Sequence, residues 1–402
     1  MARLRTEVAI IGGGLMGSWA AYFLRRRGLS VILIDKGEIG AQSSGVNFGN
    51  LRLQGRHPGQ IPLALRSDAE WDRIVEHLGE PCEFERGGHL YLGFDAPQMM
   101  KLGQVAEDAL RHGVRVELLG AAELRARWPW LGTGVMGASW SARDATANPR
   151  LVTPAVARAA RRLGAEILSG TRVITFAKEG ERFRLTTDRD LDIESEALVN
   201  TAGAWGSQIA IAFGETAPVI AAGPPQFVTE PLPYFIGPSV QAADGRVIFR
   251  QVRRGNVVVA GYPRSASDPV ANRAPVDPAR TLAAMRRLVE AVPRLAGASV
   301  IRVWSGIEGY LPDMLPVIGF SRTTPRLVHA FGFCGHGFQL GPGVGLTLAE
   351  LLADGTTSIP LSDFDIGRFA GQFARDDRLS REFDSASLAT TAWGAVGKAT
   401  PT

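Results

Sequence analysis

The sequence predicts an α/β domain of the doubly wound, Rossmann type, interleaved with an α+β domain built on an antiparallel sheet. Three observations predict it. Val8-Ala9-Ile10-Ile11 runs straight into Gly12-Gly13-Gly14-Leu15-Met16-Gly17, and an apolar helical pattern follows over residues 15–27. Gly28 then leads into a second apolar run, Val31-Ile32-Leu33-Ile34, closed by Asp35. Between residues 218 and 302 short alternating segments replace this rhythm, as in an antiparallel sheet.

The first stretch reads as a buried parallel strand, a tight turn and a helix start. Gly12 allows the turn, Gly14 lets a pyrophosphate approach the backbone, and Gly17 lets helix and strand pack closely. The helix start offers unpaired N–H groups and the positive end of its dipole to phosphates. Asp35 ends the second strand at the offset, about 20 residues on, where a carboxylate takes ribose hydroxyls.

The loop Ala41-Gln42-Ser43-Ser44-Gly45-Val46-Asn47-Phe48-Gly49-Asn50-Leu51-Arg52 continues to Arg56. It lies at the carboxyl edge of the sheet, where ligands bind in such folds. Residues 61–78 read as a helix, Gly88 to Gly93 as a strand, 96–111 as a helix and 114–118 as a short strand. Trp128-Pro129-Trp130-Leu131 closes this section, and Asn148-Pro149 starts a helix running to about residue 163. Strands follow at 165–168, 173–176 and 182–187. Then Ala197-Leu198-Val199-Asn200 enters the small-residue turn Thr201-Ala202-Gly203-Ala204-Trp205. Within the antiparallel region the segments are 226–230, 247–251 and 256–261, with an amphipathic helix over 278–292. The chain returns through Val303-Trp304-Ser305-Gly306, Leu315-Pro316-Val317-Ile318-Gly319 and Leu327-Val328-His329-Ala330. A glycine-rich turn over 332–345 opens a last long helix to about residue 353. Beyond Arg378 the chain is rich in Ala, Ser and Thr and lacks periodicity, as a flexible or docking tail does.

Composition sets the bounds. The 402 residues suit two domains, and 45% hydrophobic with 21% charged residues is ordinary for a soluble globular chain. The net charge is only +4, and no basic run or basic patch with interleaved aromatics points to nucleic acid. Cys82 and Cys334 cannot make a disulfide framework, which fits a reducing cytoplasm. Met1-Ala2-Arg3-Leu4-Arg5 before an uncharged stretch resembles a signal peptide, but the glycine spacing and the Asp35 strand explain the same residues better. No membrane span and no metal site are expected.

Three separated segments fit one ligand: the first glycine turn, Thr201-Ala202-Gly203, and the late turn Gly332-Phe333-Cys334-Gly335-His336-Gly337-Phe338-Gln339. A nicotinamide cofactor needs only the first. A ligand reached from early, middle and late segments is longer and more buried, as FAD is.

At these residues the chain resembles the FAD-dependent D-amino-acid-oxidase-like family, which includes glycine oxidase, sarcosine oxidases and the flavin subunits of bacterial hydroxyproline and opine dehydrogenases. The resemblance spans residues 7–353. It rests on the glycine turn with Asp35, Arg86-Gly87-Gly88, Asn148-Pro149, Val199 to Trp205, Trp304-Ser305-Gly306, Pro312-Asp313 through Gly319, and Gly332 to Gly345. It implies an FAD-binding domain of residues 1–81, 142–217 and 303–377, interleaved with a substrate domain of residues 82–141 and 218–302, and a tail of residues 378–402. It further implies that Gly12, Gly14, Leu15, Met16, Gly17, Asp35 and Lys36 hold the ADP half of FAD. Ser43, Ser44, Asn47, Gly49, Asn50, Leu51 and Arg52 pass along the flavin. Val173 flanks the adenine, and Ala202, Gly203 and Trp205 line the cofactor. Gly335, His336, Gly337, Phe338 and Gln339 lie near the pyrimidine edge, where reduction places negative charge that a helix dipole stabilises.

The departures from the family bear on substrate and acceptor. Monomeric sarcosine oxidase links its flavin to a cysteine just after the strand matching residues 303–307. Here Glu308-Gly309-Tyr310 follows, so non-covalent FAD is expected. Glycine oxidase holds the substrate carboxylate with an arginine where this chain has Glu308. Monomeric sarcosine oxidase uses an arginine and a lysine where this chain has Gly55 and Gln339. Arg52 and Arg250 are the candidates to take over; otherwise Arg52 orders the loop or touches the flavin, and Arg250 is a solvated arginine on a strand face. Glu308 suits a cationic or polyhydroxylated substrate end, or a structural ion pair. His336 is a candidate for direct chemistry as a base or a cation. Sarcosine oxidases of the family use a lysine over the flavin for reaction with oxygen, where this chain has Val259. The four lysines, Lys36, Lys101, Lys178 and Lys398, all lie elsewhere. The expected activity is oxidation of the C–N bond of a small amine, D-amino acid, imino acid or opine, with electrons passing to partner subunits. A peroxide-producing oxidase, a nicotinamide dehydrogenase and a non-catalytic flavin-binding subunit remain as alternatives.

Overall fold

The computed structural model describes residues 2–383, apart from 262, 372 and 374. Its first sheet runs in the order Val317–Phe320, Leu327–Phe331, Leu191–Asn200, Ala2–Ile11, Val31–Ile34, Glu166–Leu168. All neighbours are parallel except the edge strand Val317–Phe320. The apolar run Val8–Ile11 is continuous because both faces of its strand are covered. Val8 and Ile10 pack under the helices, while Ala9 and Ile11 face the other way. On that second face the cover is not a helix layer. Residues 173–179 and 182–187 form an antiparallel hairpin joined to Leu191–Asn200, and Phe183 and Leu185 bury there. The sheet is therefore Rossmann-type, with helices on one face and a β-hairpin on the other.

The helix layer is set by small residues. Helix Gly337–Asp354 crosses helix Leu15–Arg26 so closely that a Cβ on Gly345 would stand 2.4 Å from the Cβ of Trp19 and 2.6 Å from its backbone carbon. A Cβ on Gly341 would meet Leu15 at 2.6 Å. Trp19 itself is fully buried. Helix Ile61–Asp72 leans on the same late helix: Ser67 Oγ and Trp71 Nε1 both donate to the Gln339 carbonyl, at 2.6 and 2.8 Å.

The second sheet has eight strands in the order Val300–Trp304, Gln226–Pro231, Asn256–Ala260, Ile248–Gln251, Ser239–Ala242, His89–Gly93, Gly137–Ser141, Glu117–Gly120. Helix Pro278–Ala291 covers one face through Ala284, Leu288 and Ala291, over Phe227, Phe249, Val257 and Val259. Val300–Trp304 pairs with Gln226–Pro231 here, so the chain re-enters the first sheet only at Val317, later than residue 303. A smaller three-stranded sheet is made of Ser265–Ala266, Ile220–Gly223 and Glu308–Tyr310.

Local differences have local causes. The helix expected over 61–78 breaks at Arg73, whose φ of −100° and ψ of 15° end one helix and start Ile74–Leu78. The strand expected at 114–118 pairs at Glu117–Gly120, where the hydrogen-bonding partner Gly137–Ser141 lies. Residues 378–382 form a helix and Phe383 is buried against Tyr310, so the start of the expected tail is docked. Residues 384–402, which include Lys398, lie outside the described residues.

The helix crossing yields the first prediction. Gly345→Ala forces a methyl into Trp19 and should cost about 1–3 kcal/mol, as overpacking does. Thermal unfolding should start several degrees lower, while Gly297→Ala, where a Cβ meets nothing within 4 Å, should leave the midpoint unmoved.

Candidate active site

The carboxyl ends of the parallel strands open on one cavity of about 900 Å³. Ile11, Ile34, Thr201 and Ala330, each at or beside the end of its strand, form its floor. Two helices aim their N-termini at it, Leu15–Arg26 and Gly337–Asp354. Neither has a capping side chain at its N-cap residue (Gly14 and His336), and neither has an acid in its first turn. Both ends therefore keep their positive partial charge for a ligand.

The glycine turn shows why its residues are small. Gly12 has a φ of +110°, and a Cβ there would meet the Thr201 carbonyl oxygen at 2.4 Å. Thr201 Oγ1 donates to the Ile11 and Gly12 carbonyls at 3.1 and 2.9 Å, locking the middle segment onto the first. Gly14, Leu15 and Met16 line the cavity, and Ser44 Oγ accepts the Leu15 N–H at 2.9 Å. Asp35 lines it too, with its carboxylate held by the N–H groups of Gly13 and Gly37 at 2.6 and 2.8 Å. Burial nevertheless raises its pKa. Lys36 sets its ammonium 3.2 Å from the centre of the Trp205 ring. Desolvation, with the nearby Arg172 charge, lowers it to about 8. Val173, Ala202 and Gly203 are also on the wall.

The loop after Ser43 is held in place from the second sheet. Gln226 Nε2 and Trp304 Nε1 both donate to the Val46 carbonyl, at 2.7 and 2.9 Å. Asn47 closes the loop on itself, accepting from Gly49 and donating to Ser43 and Ser44. Ser43, Ser44, Asn47, Gly49 and Asn50 all face the cavity. Asn50 Oδ1 is buried there without a partner among the described residues.

These features fit FAD. Two helix ends whose N-cap residues supply no capping side chain, one of them with its Leu15 N–H already taken by Ser44, suit an anionic pyrophosphate and a flavin that gains negative charge. The glycines leave room beside the backbone, and Asn50 Oδ1 is an acceptor in want of a donor. Three predicted cofactor residues stand behind the wall instead of on it. Gly17 packs under the turn, where a Cβ would meet the Gly12 carbonyl oxygen at 2.0 Å. Leu51 points into the helix-side core. Gln339 turns its side chain to the Ala64 carbonyl of helix Ile61–Asp72, at 2.8 Å, because it leaves its helix on the flank facing that neighbour.

Around Arg52 the structure gathers residues from four segments. Arg52 is buried, donates to the Gly55 carbonyl at 3.0 Å, lies over the Tyr91 ring, and sets Nη2 3.3 Å from His336 Nε2. His336 Nδ1 lies 3.2 Å from Gln60 Oε1. An arginine donor at Nε2 and a carbonyl oxygen at Nδ1 together require the neutral imidazole. Burial, and then the charges of Arg378, Arg52 and Arg56, drive its pKa well below the usual value. His336 is thus no cation, and its role as one is withdrawn.

Two further expectations are corrected. Arg250 is neither solvated nor in the cavity: it is buried, donating to the Phe48 and Ala147 carbonyls at 2.9 and 3.2 Å, so it braces the flavin loop. Glu308 reaches the cavity wall, but its carboxylate accepts from the Gly335 N–H at 2.8 Å and from the Tyr310 hydroxyl, with Arg264 beside it. It is an ion-pair brace for the late turn. Val259 faces the core under helix Pro278–Ala291, opposite Phe249 and Phe227, so a lysine there would point away from the cavity.

The lysine count also understated the positive charge. Arg52, Arg56, Arg378 and Arg381 all line the cavity. Arg56 lay in a loop already marked as ligand-binding. Tyr91 lay in a predicted strand, and alternation with buried Leu90 and Leu92 would have shown it facing the other way. Arg378 carried no sequence signal, since only the docking of residues 376–383 brings it here.

Neither cysteine lines the cavity. Cys334 Sγ donates to the Gly332 carbonyl and accepts from the Leu311 N–H, and burial pushes its thiol up to about 12.

The glycine turn can be tested directly. Gly14 has an extended backbone conformation that valine adopts without strain, so Gly14→Val should fold but fill the ligand's space. The purified variant should be colourless; a normal flavin spectrum would sink the assignment.

Comparison with known proteins agrees with this site. A family model described as FAD dependent oxidoreductase matches residues 7–351. The chain is 27% identical to glycine oxidase of Geobacillus kaustophilus over 383 residues, covering 92% of this chain and 98% of that one. It is 26% identical to one of the subunits of opine oxidase from Rhizobium meliloti over 380 residues, covering 92% and 99%. Its fold is similar to that of L-proline dehydrogenase from P. horikoshii, with a TM-score of 0.86 at 27% identity, covering 93% of this chain and all of the other. With its glycine turn, its three converging segments and this match over most of its length, the chain belongs to the DAO family of FAD-dependent oxidoreductases.

Proposed function

We propose that this protein oxidises the C–N bond of a small amine, D-amino acid, imino acid or opine that carries a carboxylate, and passes the electrons to a partner rather than to oxygen. The observation that carries the substrate reading is Arg52, buried beside neutral His336 at the wall of the cavity. A buried guanidinium over an aromatic ring is suited to a carboxylate. The chemistry FAD supplies when bound is acceptance of a hydride from the carbon next to nitrogen.

The chain's own groups then have distinct tasks. Arg52 orients the carboxylate, and Arg56, whose Nε donates to the Arg52 carbonyl at 2.6 Å, steadies it. Neutral His336 presents no charge that would repel a cationic amine losing its proton. The helix end at Gly337 supports negative charge near the reacting ring. FAD without a covalent link belongs to this reading, supported by the placement of both cysteines away from the cavity.

Transfer to a partner is supported by similarity to a protein named as a subunit of an opine oxidase. Partner subunits, and a cytoplasmic place in a bacterial cell, belong to this reading. No helix among the described residues is long and apolar enough to cross a membrane. A peroxide-producing oxidase is the second reading, and the arginines around the cavity favour it by supplying positive charge.

Two measurements test these readings. Amino acids, N-alkyl amino acids, imino acids and opines are added anaerobically to the holoenzyme, and bleaching of the flavin is followed. With the compound that bleaches it, Arg52→Ala should weaken binding by about 2 kcal/mol, the scale of a charged hydrogen bond, with flavin content near normal. Loss of flavin with unchanged affinity would assign Arg52 to the cofactor. Air admitted to the reduced enzyme should reoxidise it slowly compared with an added dye. Reoxidation by oxygen in milliseconds with stoichiometric peroxide would establish the oxidase instead.

A further inference from the structure

The late turn is clamped by two charged side chains from outside its own segment. Gly335, at a φ of +79°, gives its N–H to Glu308 Oε1 at 2.8 Å. The Arg264 guanidinium stands against the other side of the same residue. A Cβ at Gly335 would meet Arg264 Nη2 at 3.0 Å, so the guanidinium fills the space a side chain would take.

Arg264 is buried, and its neighbours fix where its charge sits. The guanidinium lies over the Tyr310 ring, 4.4 Å from the centroid. Its Nη2 donates to Glu382 at 2.7 Å, and the Arg264 backbone N–H donates to the Glu382 carbonyl at 2.8 Å. Its Nη1 stands 3.8 Å from Glu308 Oε2, the oxygen that also takes the Tyr310 hydroxyl. Two acids therefore share this cation. Glu382 is buried and comes from helix Arg378–Glu382, which is followed by Phe383 edge-on to Tyr310 at 5.1 Å. Glu308 stands on the cavity wall.

Glu308 is placed where an acid is a liability. It adjoins the start of helix Gly337–Asp354, the end suited to a flavin that gains negative charge. A carboxylate left uncancelled there would oppose that gain. Yet the turn uses its oxygen to hold the Gly335 N–H. A cation paired with Glu308 from behind the wall meets both demands, and Arg264 is such a cation: it does not itself line the cavity.

We propose that Arg264 is a positioning residue for flavin reduction. It cancels the charge of Glu308 and holds the Gly335 turn, so that the late helix end keeps its full effect on the reduced ring. Arg264 acts only through Glu308 and the turn and makes no contact with substrate.

The test reads the midpoint potential of bound FAD by equilibrating the holoenzyme with a redox dye. No substrate and no turnover are needed, so the result is independent of which amine is oxidised and of the electron acceptor. Arg264→Gln should lower the potential by roughly 30 mV, a tenfold change in the equilibrium of a two-electron couple. Glu308→Gln, which keeps an oxygen for the Gly335 N–H, should raise it by a similar amount. The double variant should return near the wild type, and Arg264→Lys should stay close to it. An unmoved potential in Arg264→Gln overturns the proposal. A fall in both single variants also overturns it, because loosened packing alone would lower both. If Arg264→Gln does not fold, Glu308→Gln decides by itself, and an unchanged or lowered potential there overturns the proposal.

Discussion

The structure depends on one close crossing of two helices. Leu15–Arg26 and Gly337–Asp354 approach so tightly at Trp19 that only glycine fits at 341 and 345. That contact joins residues more than 300 positions apart and points both helix N-termini at the same crevice. Each end alone would be an ordinary anion site. Together, with no capping side chain at either N-cap, they define a groove for a long ligand with charge at two places. The parallel strands supply the floor, because their carboxyl ends must all emerge on one edge. Thr201 ties the middle strand to the first turn, and Glu308 ties the three-stranded sheet to the late turn.

The second sheet has a different task. Its covered face is a packed core under helix Pro278–Ala291, and its other face closes the cavity through Tyr91, Gln241 and Ile248. Arg250 is on this face yet faces no ligand. It donates to two carbonyls of distant segments and so holds the flavin loop against the sheet. Gln226 and Trp304 do the same at Val46. The two domains are thereby fastened by polar side chains to backbone oxygens, which fixes geometry without placing competing charge in the cavity. Positive charge is instead concentrated in arginines of the cavity wall, and burial, reinforced by that charge, keeps His336 neutral. The proposed oxidation of a carboxylate-bearing amine draws on this arrangement, with positive charge for the anion and a neutral imidazole beside it.

Much of this was legible in the residues. The glycine turn, the strand ending at Asp35, the segment at Thr201-Ala202-Gly203 and the late glycine-rich turn each carry a local requirement: a positive φ, a close approach or a helix start. Those requirements are short-range, so they show in sequence. The same holds for the antiparallel region, whose alternation follows from one buried face. Membership of a flavin-binding family followed from these motifs together and is shown by the match across residues 7–351.

What only the tertiary structure decided is where charged side chains end up. Arg52, Arg250 and Glu308 are equivalent in sequence, each a charge near a motif. One points into the cavity, one braces a loop, and one anchors a turn, because the outcome rests on partners 2 to 284 positions away. Arg378 stands in a stretch without periodicity, and it reaches the site only because Glu382, Arg264 and Phe383 dock the segment. The β-hairpin on the second face of the first sheet was likewise hidden, since an apolar strand reads the same under a helix or under another strand. Sequence determines local conformation and which faces must be buried. Long-range packing determines which buried polar group meets which, and at this site that pairing sets the charge and shape offered to a substrate.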